Sequence, residues 1–187
     1  SGGWGCVSAE TVLEGETRTI AELASAGVEP LVYALSQSGE RVRARASVPY
    51  LKGRDRLYRV TTRAGAQIAV TAKHRFWTAG GQWRTLPQIL ESGEPLQRYE
   101  ARNPWESSDE VSSVADIGHQ DYYDLHVPVY EHYLAHGLIH HNSGKTWLYC
   151  KKALWLSDVF PRNRGVIFRR VAKELRATTM ATFYKLC

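Results

Sequence analysis

From Thr11 to about Leu138 apolar and polar residues alternate in short runs broken by turn residues, the pattern of half-buried strands. Leu31–Leu35 and residues 42–48 flank Ser36-Gln37-Ser38-Gly39-Glu40, a hairpin signal. Residues 56–62 and Gln67–Thr71 flank Arg63-Ala64-Gly65-Ala66, a second one. Two short helices interrupt the pattern: Ile20–Ser25, with Thr19 and Glu22 spaced as a capping box and Gly27 as a stop, and residues 86–91, closed by Gly93. Gly80-Gly81 marks a further turn, and residues 122–127, Tyr133-Leu134 and Leu138–His141 read as strands. Residues 101–121 are polar, acidic and turn-rich, and are expected to form a surface loop.

Beyond residue 142 the pattern changes. Residues 145–157 predict a helix, Val166-Ile167-Phe168 a short buried strand, and residues 171–186 a second helix. This helix-strand-helix order opens an α/β unit, but 45 residues cannot cover both faces of a sheet, so 143–187 reads as a fragment of something larger. The prediction is therefore a mainly β segment, 6–142, followed by an α/β fragment.

Charge divides the chain at the same point. The net charge is +5, but residues 143–187 carry ten Lys/Arg against Asp158 and Glu174, a balance of +8, whereas 6–142 carry 14 basic and 17 acidic residues, a balance of −3. A nucleic-acid or phosphate argument applies only to the tail. The 187 residues are 43% hydrophobic, which excludes fibrous and disordered classes, and no apolar run spans a bilayer. The N-terminus carries no secretory pattern, and Cys6, Cys150 and Cys187 form neither an even disulfide framework nor a metal pair. These features predict a soluble, cytoplasmic protein in a reducing compartment.

The break at 142 falls beside Gly144-Lys145-Thr146, the end of a phosphate-binding G-x-x-x-x-G-K-[ST] loop whose first glycine is replaced by Ile139. Joining Gly5 directly to Ser143 completes the motif: Gly2-Gly3-Trp4-Gly5-Ser143-Gly144-Lys145-Thr146. The segment thus removed begins with Cys6, ends with Asn142 and is followed by Ser143. A thiol is suited to accept the acyl group of the preceding residue. The asparagine side chain can close a five-membered ring on its own carbonyl, and a serine hydroxyl can receive the transferred chain.

With these residues the sequence resembles the inteins, proteins of the Hedgehog/intein (Hint) fold. The stretch from Cys6 to Leu13 is similar to their first block and Thr71-Ala72-Lys73-His74 to their T-x-x-H block. Tyr123-Asp124-Leu125-His126-Val127 with Tyr133-Leu134 resembles the penultimate block, and Leu138-Ile139-His140-His141-Asn142 with Ser143 the last. The resemblance spans 6–142 and implies an all-β horseshoe without a homing endonuclease, since only a few dozen residues separate Thr78 from Asp121. Residues 1–5 and 143–187 are similar to the split start of a phage terminase large-subunit ATPase. They would be the flanking N- and C-extein fragments.

The resemblance implies cis splicing by a monomer with no cofactor; the slightly acidic balance of 6–142 and the lack of an apolar span lead us to expect no nucleic-acid or membrane partner for it. His74 would protonate the departing Cys6 nitrogen and Thr71 would orient the same peptide. Asp124 would manage the proton as Ser143 attacks, and His141 would assist cyclisation of Asn142. His140 assists or fills a strand face. The family's upstream histidine falls on Glu131, so either that carboxylate or the neighbouring His132 takes the role; the reading favours His132. The spliced host would bind ATP and Mg²⁺ through Gly2, Gly5, Gly144, Lys145 and Thr146, and arginines of the tail are compatible with DNA contact or with a solvated basic face.

Two rival readings follow from the residues. His126, His132, His136, His140 and His141 fall within sixteen positions, which suggests a metal-binding module, although their spacing is loose for a structural Zn²⁺ site and no cysteine joins them. The chain could also be a P-loop ATPase with a β insertion, which Ile139 disfavours.

Overall fold

The computed structural model describes residues 6–99 and 107–142 and the single residue Met180. The elements expected at 145–157, 166–168 and 171–186, the flank 1–5, Ser143 and the candidate nucleotide-binding residues lie outside the described residues. The chain divides into two compact units, Ser1–Ser143 and Gly144–Cys187; the first contains every element that follows.

The order is β1 (Val7–Ser8), α1 (Ile20–Ser25), β2 (Leu31–Leu35), β3 (Arg41–Arg45), β4 (Tyr50–Thr62), β5 (Gln67–Thr71), β6 (Arg75–Trp77), β7 (Trp83–Thr85), α2 (Leu86–Ser92), β8 (Leu96–Gln97), β9 (Ser108–Asp109), β10 (Val111–Asp124), β11 (His132–Ala135) and β12 (Leu138–His141). Strands β1, β10, β4 and β5 close into a small barrel, and β11, β12, β6 and β7 form a four-stranded sheet in that order. Two hairpin-like pairs, β2–β3 and β8–β9, complete the strands.

Local signals account for most of these elements. Helix α1 starts at a reciprocal cap: Glu22 N–H donates to Thr19 Oγ1 at 3.2 Å, and Thr19 N–H donates to Glu22 Oε2 at 2.7 Å. Ile20 and Leu23 face the core. Helix α2 ends at Gly93, whose φ of 66° is the left-handed cap conformation that glycine adopts without a side-chain clash. Both expected hairpins form, with Gly39 and Gly65 supplying the positive φ of the turns.

One expectation is corrected. Residues 111–121, expected in a surface loop, belong to β10, which pairs with β4 from Val111↔Thr62 to Asp124↔Tyr50. Much of this ribbon is exposed, so its strands need no apolar alternation. Cross-strand charges, Arg54–Asp121 at 3.5 Å and Arg56–Asp116 at 3.2 Å, occupy positions where a core strand would carry aliphatic side chains.

The core joins both sheets: Val7, Val60, Ile68 and Val70 from the barrel pack in one cluster with Phe76, Tyr133 and Leu138 from the second sheet. Among the described residues no helix is long and apolar enough to cross a membrane.

Register fixes the site. Val7 lies opposite both Tyr123 and Val70. One step back, Cys6 therefore falls level with Asp124 at the end of β10 and Thr71 at the end of β5. In the second sheet His140 lies opposite Phe76 and His132 opposite His141.

Candidate functional site

Cys6 is buried, 2% exposed, where the barrel strands converge. Its backbone N–H, the nitrogen of the Gly5–Cys6 peptide, donates to Thr71 Oγ1 at 3.2 Å, and its carbonyl accepts from Thr71 N–H at 3.1 Å. Thr71 thus grips both sides of the residue. Its own carbonyl caps the following turn by accepting from His74 N–H at 2.9 Å.

His74 is fully buried, and its Nε2 lies 2.9 Å from Nδ1 of His140, also fully buried. The far nitrogen of His140, Nε2, is 3.0 Å from the Ala135 carbonyl. Tyr133 stacks on the His140 ring at 5.4 Å and Phe76 lies against it at 5.1 Å. A continuous set of contacts, Cys6–Thr71–His74–His140, therefore runs from the start of the β segment to a point two residues before Asn142.

Asn142 is 1% exposed. Its N–H donates to the Glu131 carbonyl at 3.0 Å, continuing the β11–β12 ladder by one step. Among the described residues neither Oδ1 nor Nδ2 of its side chain has a hydrogen-bond partner. A buried carboxamide left this way costs about 1–3 kcal/mol for each group, and such groups concentrate where chemistry requires them. An unengaged Nδ2 suits attack on a carbonyl.

The site also holds a buried ion pair. Lys52 Nζ lies 2.7 Å from Asp124 Oδ2, with the side chains 14% and 5% exposed. Tyr50 OH donates to the same oxygen at 3.4 Å, and Asp124 Oδ1 accepts from Leu125 N–H at 2.9 Å. Burial and then the Asp124 carboxylate push the Cys6 thiol well above its ordinary range, while Lys52 opposes them. Burial alone would lower Lys52; the Asp124 and Cys6 side chains outweigh it and push the ammonium up. The resting state is a neutral thiol beside a charged pair.

No family model matches the chain, and no curated protein matches it. Solved structures do. A DnaB intein from Synechocystis sp. PCC 6803 is 26% identical with a TM-score of 0.65, covering 74% of this chain and 99% of its own. The TvoVMA intein is 25% identical at a TM-score of 0.64, covering 76% and 100%, and the PabCDC21-1 intein is 25% identical at 0.61, covering 74% and 98%. This is the intein fold. The mainly β, Hint-type architecture expected for 6–142 is the one present, and the shared extent is close to the length of that segment.

Within the intein fold, the sequence-selected Cys6, Thr71 and Asp124 meet at the ends of the barrel strands, His74 reaches across to His140, and His141 and Asn142 stand at the end of β12. His141 places its ring edge-on against Trp83 at 4.8 Å. His132, opposite it, is occupied differently: Nδ1 donates to the Tyr130 carbonyl at 2.6 Å and Nε2 accepts from Leu35 N–H at 2.9 Å. Both ring nitrogens are engaged with backbone, so the imidazole is tied to β2 and to its own loop. Glu131 has a positive φ of 55° and contributes its carbonyl to Asn142. Of the two alternatives for the upstream role, neither side chain is held toward a proton-transfer partner by the contacts seen.

Sequence reasoning missed Lys52 and Tyr50, and left the part played by His140 open. The expected strand began at 56, leaving Lys52 outside it; a buried carboxylate's demand for a cation was the only available signal. Among the described residues no group of three or more His, Cys, Asp or Glu side chains could hold a metal.

Buried imidazoles predict acid sensitivity. Burial, then the neighbouring His74, holds His140 well below the ordinary value of 6.5, and burial holds His132 below it. The folded state therefore prefers neutral rings. Their contribution to stability is complete above pH 6.5 and is lost as pH falls through the folded-state values. Urea unfolding of a Cys6→Ala, Asn142→Ala chain should show a lower midpoint at pH 5 than at pH 7.5; equal midpoints would contradict this assignment.

Proposed function

We propose that residues 6–142 excise themselves in cis and join Gly5 to Ser143. The buried Asn142 carboxamide, two residues beyond the contacts that run from Cys6 through Thr71 and His74 to His140, carries this reading. Cys6 Sγ attacks the Gly5 carbonyl carbon; the C–N bond to Cys6 breaks, and the thiol proton ends on the freed nitrogen through His74. Thr71 orients the peptide by accepting from that nitrogen's N–H.

Ser143 Oγ then attacks the Gly5 thioester, returning the proton to Cys6 Sγ and giving an ester branch. The Lys52–Asp124 pair beside Cys6 is suited to stabilise the sulfur as it is expelled. Asn142 Nδ2 attacks its own carbonyl, the bond to Ser143 nitrogen breaks with a proton transferred through His141, and the segment leaves with a terminal succinimide. The ester between Gly5 and Ser143 shifts from oxygen to nitrogen. His132 serves by anchoring the strand that faces His141, not by moving a proton.

The ligated flanks restore Gly2-Gly3-Trp4-Gly5-Ser143-Gly144-Lys145-Thr146, a nucleotide-binding loop of a terminase-like ATPase that would use ATP and Mg²⁺ and act on DNA. Before splicing, the position of the loop's first glycine is Ile139, 2% exposed and paired with Leu134 inside β12. A strand interior does not fit a phosphate cradle, so the unspliced chain is not read as an ATPase.

Intact mass followed over time tests the reading. The folded chain should give a 137-residue excised piece and a 50-residue ligated one, as counted from the sequence. Asn142→Ala should retain thiol-induced release at Cys6, and Cys6→Ala should retain some cleavage after Asn142. A single stable full-length mass from the unsubstituted chain would refute splicing.

A further inference from the structure

His140 is the residue of the joined site whose chemistry the sequence least explains. It occupies an inner strand of the second sheet, between Tyr133 and Phe76 on the neighbouring strands. A strand position needing only bulk is filled by an aliphatic residue, since a buried imidazole must find partners for two nitrogens. His140 finds both: the Ala135 carbonyl at 3.0 Å and His74 Nε2 at 2.9 Å.

These partners determine where the protons are. A carbonyl only accepts, so His140 Nε2 carries hydrogen. The ring is fully buried and held neutral, so its Nδ1 is a lone pair. A lone pair at hydrogen-bond distance from His74 Nε2 requires that Nε2 be protonated. The reverse arrangement would set two lone pairs against each other at Ala135 or put a charged imidazolium in the core. Neutral His74 therefore carries its hydrogen on Nε2 and its lone pair on Nδ1.

We propose that His140 is a positioning residue that locks His74 as the Nε2–H tautomer and so dedicates His74 Nδ1 to the proton of the Gly5–Cys6 reaction. This rests on the splicing reading and deepens its first step. The proton leaves Cys6 Sγ for His74 Nδ1 as sulfur attacks the Gly5 carbonyl, and passes from Nδ1 to the Cys6 nitrogen as the C–N bond breaks. Nothing is gained or lost overall, and His140 stays neutral throughout. A His74 ring free to take the other tautomer would present Nδ1–H to the thiol, with no lone pair to receive its proton.

Two measurements test it. In a Cys6→Ala, Asn142→Ala chain with nitrogen-15 histidine, the His74 ring should show a protonated Nε2 and an unprotonated Nδ1 at pH 7.5; the opposite tautomer overturns the proposal. In an Asn142→Ala chain, His140→Leu should slow thiol-induced release at Cys6 by about a hundredfold. His140→Asn, whose Oδ1 can accept in place of Nδ1, should recover most of that loss. A leucine variant as fast as its parent, or an asparagine variant slower than the leucine one, overturns the tautomer role. If His140→Leu does not fold, the nitrogen spectrum of the parent decides. Absence of any release at Cys6 from the parent would instead count against splicing, and the tautomer would still be read from the spectrum.

Discussion

An Asn142→Ala chain that also carries His74→Ala is expected to fold and to hold its Gly5–Cys6 bond, with thiol-induced release slowed by about 10²–10⁴-fold. The reason is chemical. Burial and Asp124 keep the Cys6 thiol protonated, so attack needs an acceptor for the thiol proton and a donor for the departing nitrogen. Thr71 Oγ1 accepts from that nitrogen's N–H and orients it, but a neutral hydroxyl is a poor acid. His74, one turn beyond Thr71 and fully buried, carries an imidazole, a side chain that can both accept and donate a proton. Mass spectrometry reads the release, circular dichroism checks the fold, and added imidazole should restore part of the rate by entering the vacated space. Unchanged release in a folded His74→Ala chain would remove His74 from the mechanism.

The elements legible in the sequence were those with local signals. Helix α1 announced itself through the Thr19–Glu22 box, and β2, β5 and β12 through short apolar runs bounded by turns. Strand β10 up to residue 121 was illegible because its stability comes from pairing along β4, not from a buried face. Val111–Asp124 is rich in serine and acidic residues that a two-sided, solvated ribbon tolerates. The site divided in the same way. Cys6 and Asn142 could be selected because their covalent chemistry is specific to their residue types and to the cut points, whereas His74 came only from the resemblance of Thr71-Ala72-Lys73-His74 to the T-x-x-H block. Lys52, Tyr50 and the His140 contact with His74 depend on register between strands distant in sequence, and one slip of β4 against β10 would send Lys52 to the opposite face. His132 shows the limit from the other side: its residue type suits acid-base work, but the contacts with Tyr130 and Leu35 occupy both nitrogens.

Lys52→Met should be the most damaging substitution for the fold among those at the site. The ammonium 2.7 Å from Asp124 is removed while the carboxylate stays buried, and breaking a buried pair from one side costs about 3–5 kcal/mol. Tyr50 OH at 3.4 Å and Leu125 N–H at 2.9 Å remain, but neither carries a charge. Urea unfolding of the Cys6→Ala, Asn142→Ala chain, with and without Lys52→Met, measures the loss. Adding Asp124→Asn should recover most of the loss, because an amide and a thioether leave no charge to compensate. A Lys52→Met chain as stable as its parent would mean that the pair contributes nothing to the fold. The same two substitutions in an Asn142→Ala chain that keeps Cys6 read thiol-induced release: stability recovered without release would separate the structural duty of the pair from a part in the reaction of Cys6.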